Sequence, residues 1–141
     1  EIPLRLVGSE MCIRDRRYPE GNEELSEWGI PTVLSLLSVV QTVGWGNGVI
    51  ASGGIRSALD VVKAQVLGAS AVAMAGNLLQ KIQQEGTEET IHFLQRLLNK
   101  VLDFYTLLGC RTFGDLHEAR YYLTGETAQA VSWLRKYDQN D

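Results

Sequence analysis

The spacing of hydrophobic positions changes several times along the chain, and the pattern is densest between residues 49 and 76. Val49-Ile50-Ala51 is a short apolar run of the kind a buried parallel strand needs, and it stops at Ser52-Gly53-Gly54. Ser57 stands where a helix N-cap is expected, with Asp60 three positions on as the acidic partner of a capping-box start. Leu59, Val62, Val66 and Leu67 follow at spacings of three and four, Ala58 and Ala64 allow close packing, and Gly68 is a natural stop. Ala71 to Ala75 reads as the next buried strand, ending at Gly76-Asn77. This stretch predicts one βαβ unit whose two strand ends open side by side onto loops of small residues.

On the N-terminal side, Tyr18 to Glu27 is polar, with Pro19 and Gly21 as turn signals, and leads into Trp28, read as a packing residue. From Thr32 to Val40 the run is long enough for a helix; its β-branched content also permits a strand. Pro31 suits a first helical turn, and an outer helix must precede a parallel strand, so a helix is expected. Gly44, Gly46, Asn47 and Gly48 form the loop that feeds the first strand. On the C-terminal side, Asn77 to Gln84 predicts a short helix broken at Glu85-Gly86. Thr87 is then expected to cap a long helix striped by Ile91, Leu94, Leu98, Val101, Leu102, Tyr105 and Leu108, ending at Gly109. Thr112 is expected to cap a further helix from Asp115 to Leu123, and Gly125 to turn the chain into an amphipathic segment around Val131, Trp133 and Leu134.

Composition narrows the class. With 45% hydrophobic and 21% charged residues this is the make-up of a soluble globular protein, and the net charge of −4 argues against a general nucleic-acid binder. No apolar run approaches the roughly 20 residues that cross a membrane and no signal-peptide pattern opens the chain, so a cytoplasmic location is expected. Cys12 and Cys110 are too few and too far apart for a disulfide framework or a metal site, and are read as reduced thiols.

The candidate chemistry lies at the two strand ends. Free backbone N–H groups there, with a helix N-terminus aimed the same way, form an anion site that suits phosphate. The plainer reading is that the glycines serve only tight strand-to-helix turns. Two consecutive strand ends with compatible loops favour a phosphate site of the kind found after strands 7 and 8 of (β/α)8 barrels. The backbone of Gly54, Ile55 and Arg56 is the main donor set, with Ser52 and Gly53 lining the turn. The Arg56 side chain can point at the anion or pack across the rim. His92 and His117 have no nucleophile or ligand pattern beside them and read as surface residues; Glu23-Glu24 and Glu88-Glu89 read as solvated or helix-start charges.

SGGIRSALDVVKAQVLGASAVAMAG closely resembles the last third of FMN-dependent barrels. Its flanks, Trp28-Gly29-Ile30-Pro31-Thr32 with Ser35-Leu36-Leu37 upstream and Leu107-Leu108-Gly109-Cys110 with Thr112-Phe113-Gly114-Asp115-Leu116 downstream, resemble the type 2 isopentenyl-diphosphate isomerases. The resemblance runs from about Arg16 to the tail. It implies an α/β fold, the C-terminal part of a (β/α)8 TIM barrel comprising about strands 7 and 8 with their helices and further C-terminal helices. It also implies FMN phosphate held by Gly54, Ile55, Arg56, Ala75 and Gly76. For the whole family enzyme it implies a homo-oligomer that interconverts isopentenyl and dimethylallyl diphosphate with reduced FMN, Mg²⁺ and NAD(P)H. The family's substrate-binding and metal-binding motifs lie on earlier strands and are not in this sequence, so the 141 residues are expected to be inactive alone. The segment from Leu6 to Arg16 looks like a translated adapter read-through, so residues 1–15 are expected to be a disordered non-family extension and residues 16–141 the barrel portion. Arg16-Arg17 resembles the basic pair after strand 6, or is a solvated basic cluster. Two other readings stay open: an FMN-dependent 2-hydroxy-acid oxidase or dehydrogenase, whose eighth strand typically ends in Gly-Arg instead of Ala75-Gly76, and a non-catalytic phosphate-binding module.

Overall fold

The computed structural model describes residues 29–137. Trp28, Arg16-Arg17, Cys12, Glu23-Glu24 and the residue 1–15 extension, all singled out in the sequence, lie outside the described residues. Helix α1 (Thr32–Val43) leads to strand β1 (Ile50–Ser52), helix α2 (Ala58–Val66), strand β2 (Ala71–Ala73) and helix α3 (Gly76–Leu107). A 3₁₀ turn (Gly114–Glu118) and helix α4 (Gly125–Tyr137) complete the order.

β1 and β2 pair in parallel, Ile50 with Ala71, Ala51 with Val72 and Ser52 with Ala73. This is the expected βαβ unit with its strands trimmed: β1 starts one residue later than read and β2 stops at Ala73 instead of Ala75. Val49 still supports the sheet, because its carbonyl accepts from the Ser70 amide at 2.8 Å. Burial on both faces was expected and only one face has it. Ala51 is buried toward the helices, whereas Ile50 on the opposite face is 65% exposed. Short parallel strands are ordinarily covered on both sides, and among the described residues the Ile50 face has no cover.

The core is a single cluster beneath the helices: Leu36, Ala51, Ile55, Ala58, Val61, Ala64, Leu67, Ala69 and Leu97. α2 supplies it with Ala58, Val61 and Ala64, and Val62 of the same helix is buried as well. Leu59, placed on the buried stripe by sequence, instead lies exposed, because small residues let α2 lie flat on the sheet and α3 and its true inner face follows the alanines. Gly68 ends α2 as expected, and its φ of +109° is only part of the reason. A Cβ there would lie 2.7 Å from Val40 Cγ1 and 2.9 Å from Trp45 Cδ1, so the position requires glycine both for conformation and for close approach.

α3 is broken where the sequence placed the break, since Gly86 has φ 85° and ψ 174° inside the helix. The hydroxyl serving that break belongs to Thr90, which donates to the Gly86 carbonyl at 2.8 Å. The inner face of the second arm keeps Val101 and Tyr105 of the stripe read in sequence, Tyr105 donating to Gln65 Oε1 of α2 at 3.2 Å, and otherwise differs from it. Leu97 is buried with Phe93, Val101 and Phe104 packed beside it, while Ile91, Leu98, Leu102 and Leu108 are exposed. Both faces are apolar, and α2 selects the one carrying the aromatics. The helix expected from Asp115 to Leu123 is only the 3₁₀ turn, ended by extended backbone at Ala119. Its start is held by Asp115, whose carboxylate accepts from the Arg111 amide at 2.7 Å and the Thr112 amide at 2.8 Å. Those two bonds, the Thr112 one larger, hold the Asp115 carboxyl below its usual range. Trp45 pins this turn to the end of the sheet where β1 begins. Its ring stacks on Phe113 at 4.7 Å, His117 is tilted over it at 5.0 Å, and its Nε1 donates to the Val66 carbonyl at 3.1 Å.

Candidate anion site at the paired strand ends

β1 and β2 end opposite one another, at Ser52 and Ala73. Adjacent strands lie about 4.8 Å apart, so the loops that follow leave the sheet as neighbours. Two side chains tie them: Ser52 Oγ donates to the Ala73 carbonyl at 3.4 Å, and Asn77 Nδ2 donates to the Arg56 carbonyl at 3.5 Å. The turn at Gly54 and the turn at Ala75-Gly76 therefore leave neighbouring strands and are bridged by the Asn77 to Arg56 bond.

Gly53 and Gly54 have φ of +97° and +73°, a pair of left-handed residues that only glycine adopts at little cost. After the turn Ile55 is buried and its side chain joins the core, which anchors the loop while Gly54 stays at the surface. A Cβ at Gly54 or at Gly76 would meet nothing within 4 Å; both glycines border open space. The amides of Gly54 and Ile55 donate to no acceptor among the described residues.

Arg56 differs from expectation in one respect. Its amide is taken, donating to Asp60 Oδ2 at 3.1 Å, and the same oxygen accepts from the Ser57 amide at 2.9 Å and the Ser57 hydroxyl at 2.8 Å. Ser57 Oγ in return accepts from the Asp60 amide at 3.2 Å, closing the capping box read from the sequence. Partial burial raises the Asp60 pKa, but the Ser57 hydroxyl, the Arg56 and Ser57 amides and Lys63 together outweigh it and hold the carboxyl below its ordinary value. With its amide taken, Arg56 could act toward an anion only through its exposed guanidinium, a group that suits phosphate by charge and fork geometry.

α3 begins differently. Its N-cap residue Ala75 has no side chain that caps, and its first turn holds no acidic residue. The leading amides of the helix, at Gly76, Asn77 and Leu78, have no intrahelical acceptor, and the macrodipole places roughly half a positive charge there. Gly54, Ile55, Ala75 and Gly76 therefore stand on neighbouring turns with backbone donors that no described group takes, and donors of that kind suit a dianionic phosphate such as the one that terminates FMN.

The other candidates are elsewhere. His92 is exposed, and His117 lies 3.7 Å from Glu118 at the opposite end of the sheet. Glu89 pairs with Arg96 at 2.8 Å on the helix surface, and Cys110 is a free, half-buried thiol. Among the described residues no three His, Cys, Asp or Glu come together as a metal site, and no helix is long and apolar enough to cross a membrane. Sequence reasoning missed Thr32 and Asn77, which bond to the loop from 21 residues away on either side. Nothing in local spacing marks such a partner.

Residues 27–123 match the family described as FMN-dependent dehydrogenase. The chain belongs to that family. Among its members the sequence is similar to isopentenyl-diphosphate delta-isomerases. It is 42% identical over 102 residues to the one from Lacticaseibacillus casei, covering 72% of this chain and 29% of that protein. It is 36% identical over 123 residues to the one from Bacillus licheniformis, covering 87% and 34%. The resemblance drawn from the quoted motifs is thereby borne out. Among solved structures, a mandelate oxidase mutant carrying an FMN adduct aligns at TM-score 0.62 and 33% identity, over 67% of this chain and 30% of that one. The chain spans about a third of the length of these relatives.

Proposed function

We propose that this member of the FMN-dependent dehydrogenase family is part of a (β/α)8 enzyme that interconverts isopentenyl and dimethylallyl diphosphate, and that it carries the phosphate end of the flavin site. The observation that carries this is the pair of neighbouring turns at the strand ends, with open amides at Gly54 and Ile55 beside the uncapped start of α3. In this reading the backbone of Gly54, Ile55, Ala75 and Gly76 holds the FMN phosphate and Arg56 adds its side-chain charge. Bound FMN, when reduced, supplies proton-transfer chemistry in the isomerase. The residues described here hold and orient the cofactor's tail, and no step of the reaction is assigned to them. Mg²⁺ belongs to the whole enzyme; no cluster suited to it is present among the described residues. NAD(P)H as reductant, homo-oligomeric assembly and a cytoplasmic location complete the proposal.

A second reading is an FMN-dependent 2-hydroxy-acid oxidase, favoured by the mandelate oxidase likeness. The 36 to 42% identity to isomerases and the Ala75-Gly76 pair that follows β2 support the first. Recovering the coding sequence upstream of Arg16 discriminates them. Motifs for diphosphate and Mg²⁺ are expected; an arginine for a substrate carboxylate with a catalytic histidine would decide for the oxidase. We further expect the purified 141 residues to bind FMN weakly and to show no isomerase turnover. Turnover by them would refute the assignment of the chemistry to other strands.

A further inference from the structure

We propose that Thr32 is a positioning residue for the anion site: its hydroxyl locks the peptide between Gly53 and Gly54 in the one orientation that presents the Gly54 amide to the phosphate. This rests on the flavin-phosphate reading above. Thr32 opens α1, and its Oγ1 donates to the Gly53 carbonyl at 2.9 Å, with the Ser52 carbonyl 3.4 Å away. In a trans peptide the C=O and the following N–H lie in one rigid plane and point in opposite directions within it. Fixing the Gly53 oxygen against α1 therefore fixes the Gly54 N–H facing away from α1.

The lock is needed because both flanking residues are glycines at positive φ. A peptide between two glycines can rotate to the opposite orientation without a Cβ clash, which would turn a donor away from the anion and an acceptor toward it. No other described side chain bonds to that peptide; Asp60 and Asn77 hold Arg56 and Ser57, farther along the loop. The threonine of the Trp28 to Thr32 motif thus acts across 21 residues on the glycine turn.

The test uses ¹⁵N-labelled 141-residue chain with Thr32→Val and Thr32→Ser, reading Gly54 amide order parameters and amide shifts on titration with FMN and, separately, inorganic phosphate. In the unsubstituted chain the Gly54 N–H is expected to be as ordered as α1, about 0.85, and to fall below about 0.6 in Thr32→Val. FMN affinity is expected to fall about tenfold, the scale of one hydrogen bond to a charged group, and Thr32→Ser to restore both. An unchanged Gly54 order parameter in Thr32→Val, or FMN affinity within twofold, overturns the proposal. If the unsubstituted chain shows no shift at Gly54 or Gly76 with either FMN or phosphate, the flavin-phosphate reading fails instead, and the order parameter still decides the lock. Should Thr32→Val lose its far-UV circular dichroism, Thr32→Ala makes the same comparison.

Discussion

α2 and α3 both start at the end of the sheet where the strands stop, yet α2 closes its own start and α3 leaves its start open. α2 uses Ser57 and Asp60 to occupy the Arg56, Ser57 and Asp60 amides. α3 has no capping side chain and no acidic residue in its first turn. The first arrangement stabilises the chain without help. The second leaves donors open to an external anion, and an anion bound there would stabilise the fold in turn. A glycine-rich turn beside a helix is thus not a binding site by pattern alone; the occupancy of its amides decides which helix serves.

The largest effect should come from undoing the closed start. Asp60→Ala removes the acceptor for three donors and is expected to cost about 2 kcal/mol, the upper end for a lost cap, in chemical denaturation. FMN affinity should change by less than about threefold; a larger loss would mean that α2 shares the site after all. Because the native Asp60 pKa lies below its unfolded value, its contribution is complete above about pH 3.9. It is lost as pH falls from there through the lower native value. The Asp60→Ala chain should lack that part of the acid dependence.

Gly54→Ala comes next. It places a Cβ at φ +73° and should destabilise by about 1–2 kcal/mol. Asn77→Asp keeps the side-chain shape but replaces the donor to Arg56 with a charge at the open helix start. It is expected to weaken FMN binding about tenfold, near 1.4 kcal/mol, measured by titration, while leaving the melting temperature unchanged or raised. Unchanged affinity would separate the α3 start from the anion. The smallest effect belongs to Gly76→Ala, which has ordinary helical backbone and open space around it. It should gain up to about 1 kcal/mol of stability, opposite in sign to Gly54→Ala, although both glycines stand on the paired turns.

Much of this was legible in the chain because it is local. A cap and its partner three residues apart, a glycine stop at Gly68 and a helix break at Gly86 depend on neighbours in sequence. The βαβ order and its strand ends followed from apolar runs separated by such signals. What spacing could not show is which of two apolar faces turns inward. Ile91, Leu98 and Leu102 have the same helical period as Phe93, Leu97 and Val101, and only contact with α2 separates them.

The sequence by itself determined α2 with its cap and stop, the break in α3, the parallel unit and the small-residue turns, because torsional preference and side-chain period act within a few residues. The tertiary structure alone decided that the Arg56 amide is spent on Asp60, that α3 is the open helix, and that Thr32 reaches the Gly53 carbonyl. Hydrogen-bond partners depend on where a donor points in space, and a peptide plane between two glycines takes its direction from what packs against it.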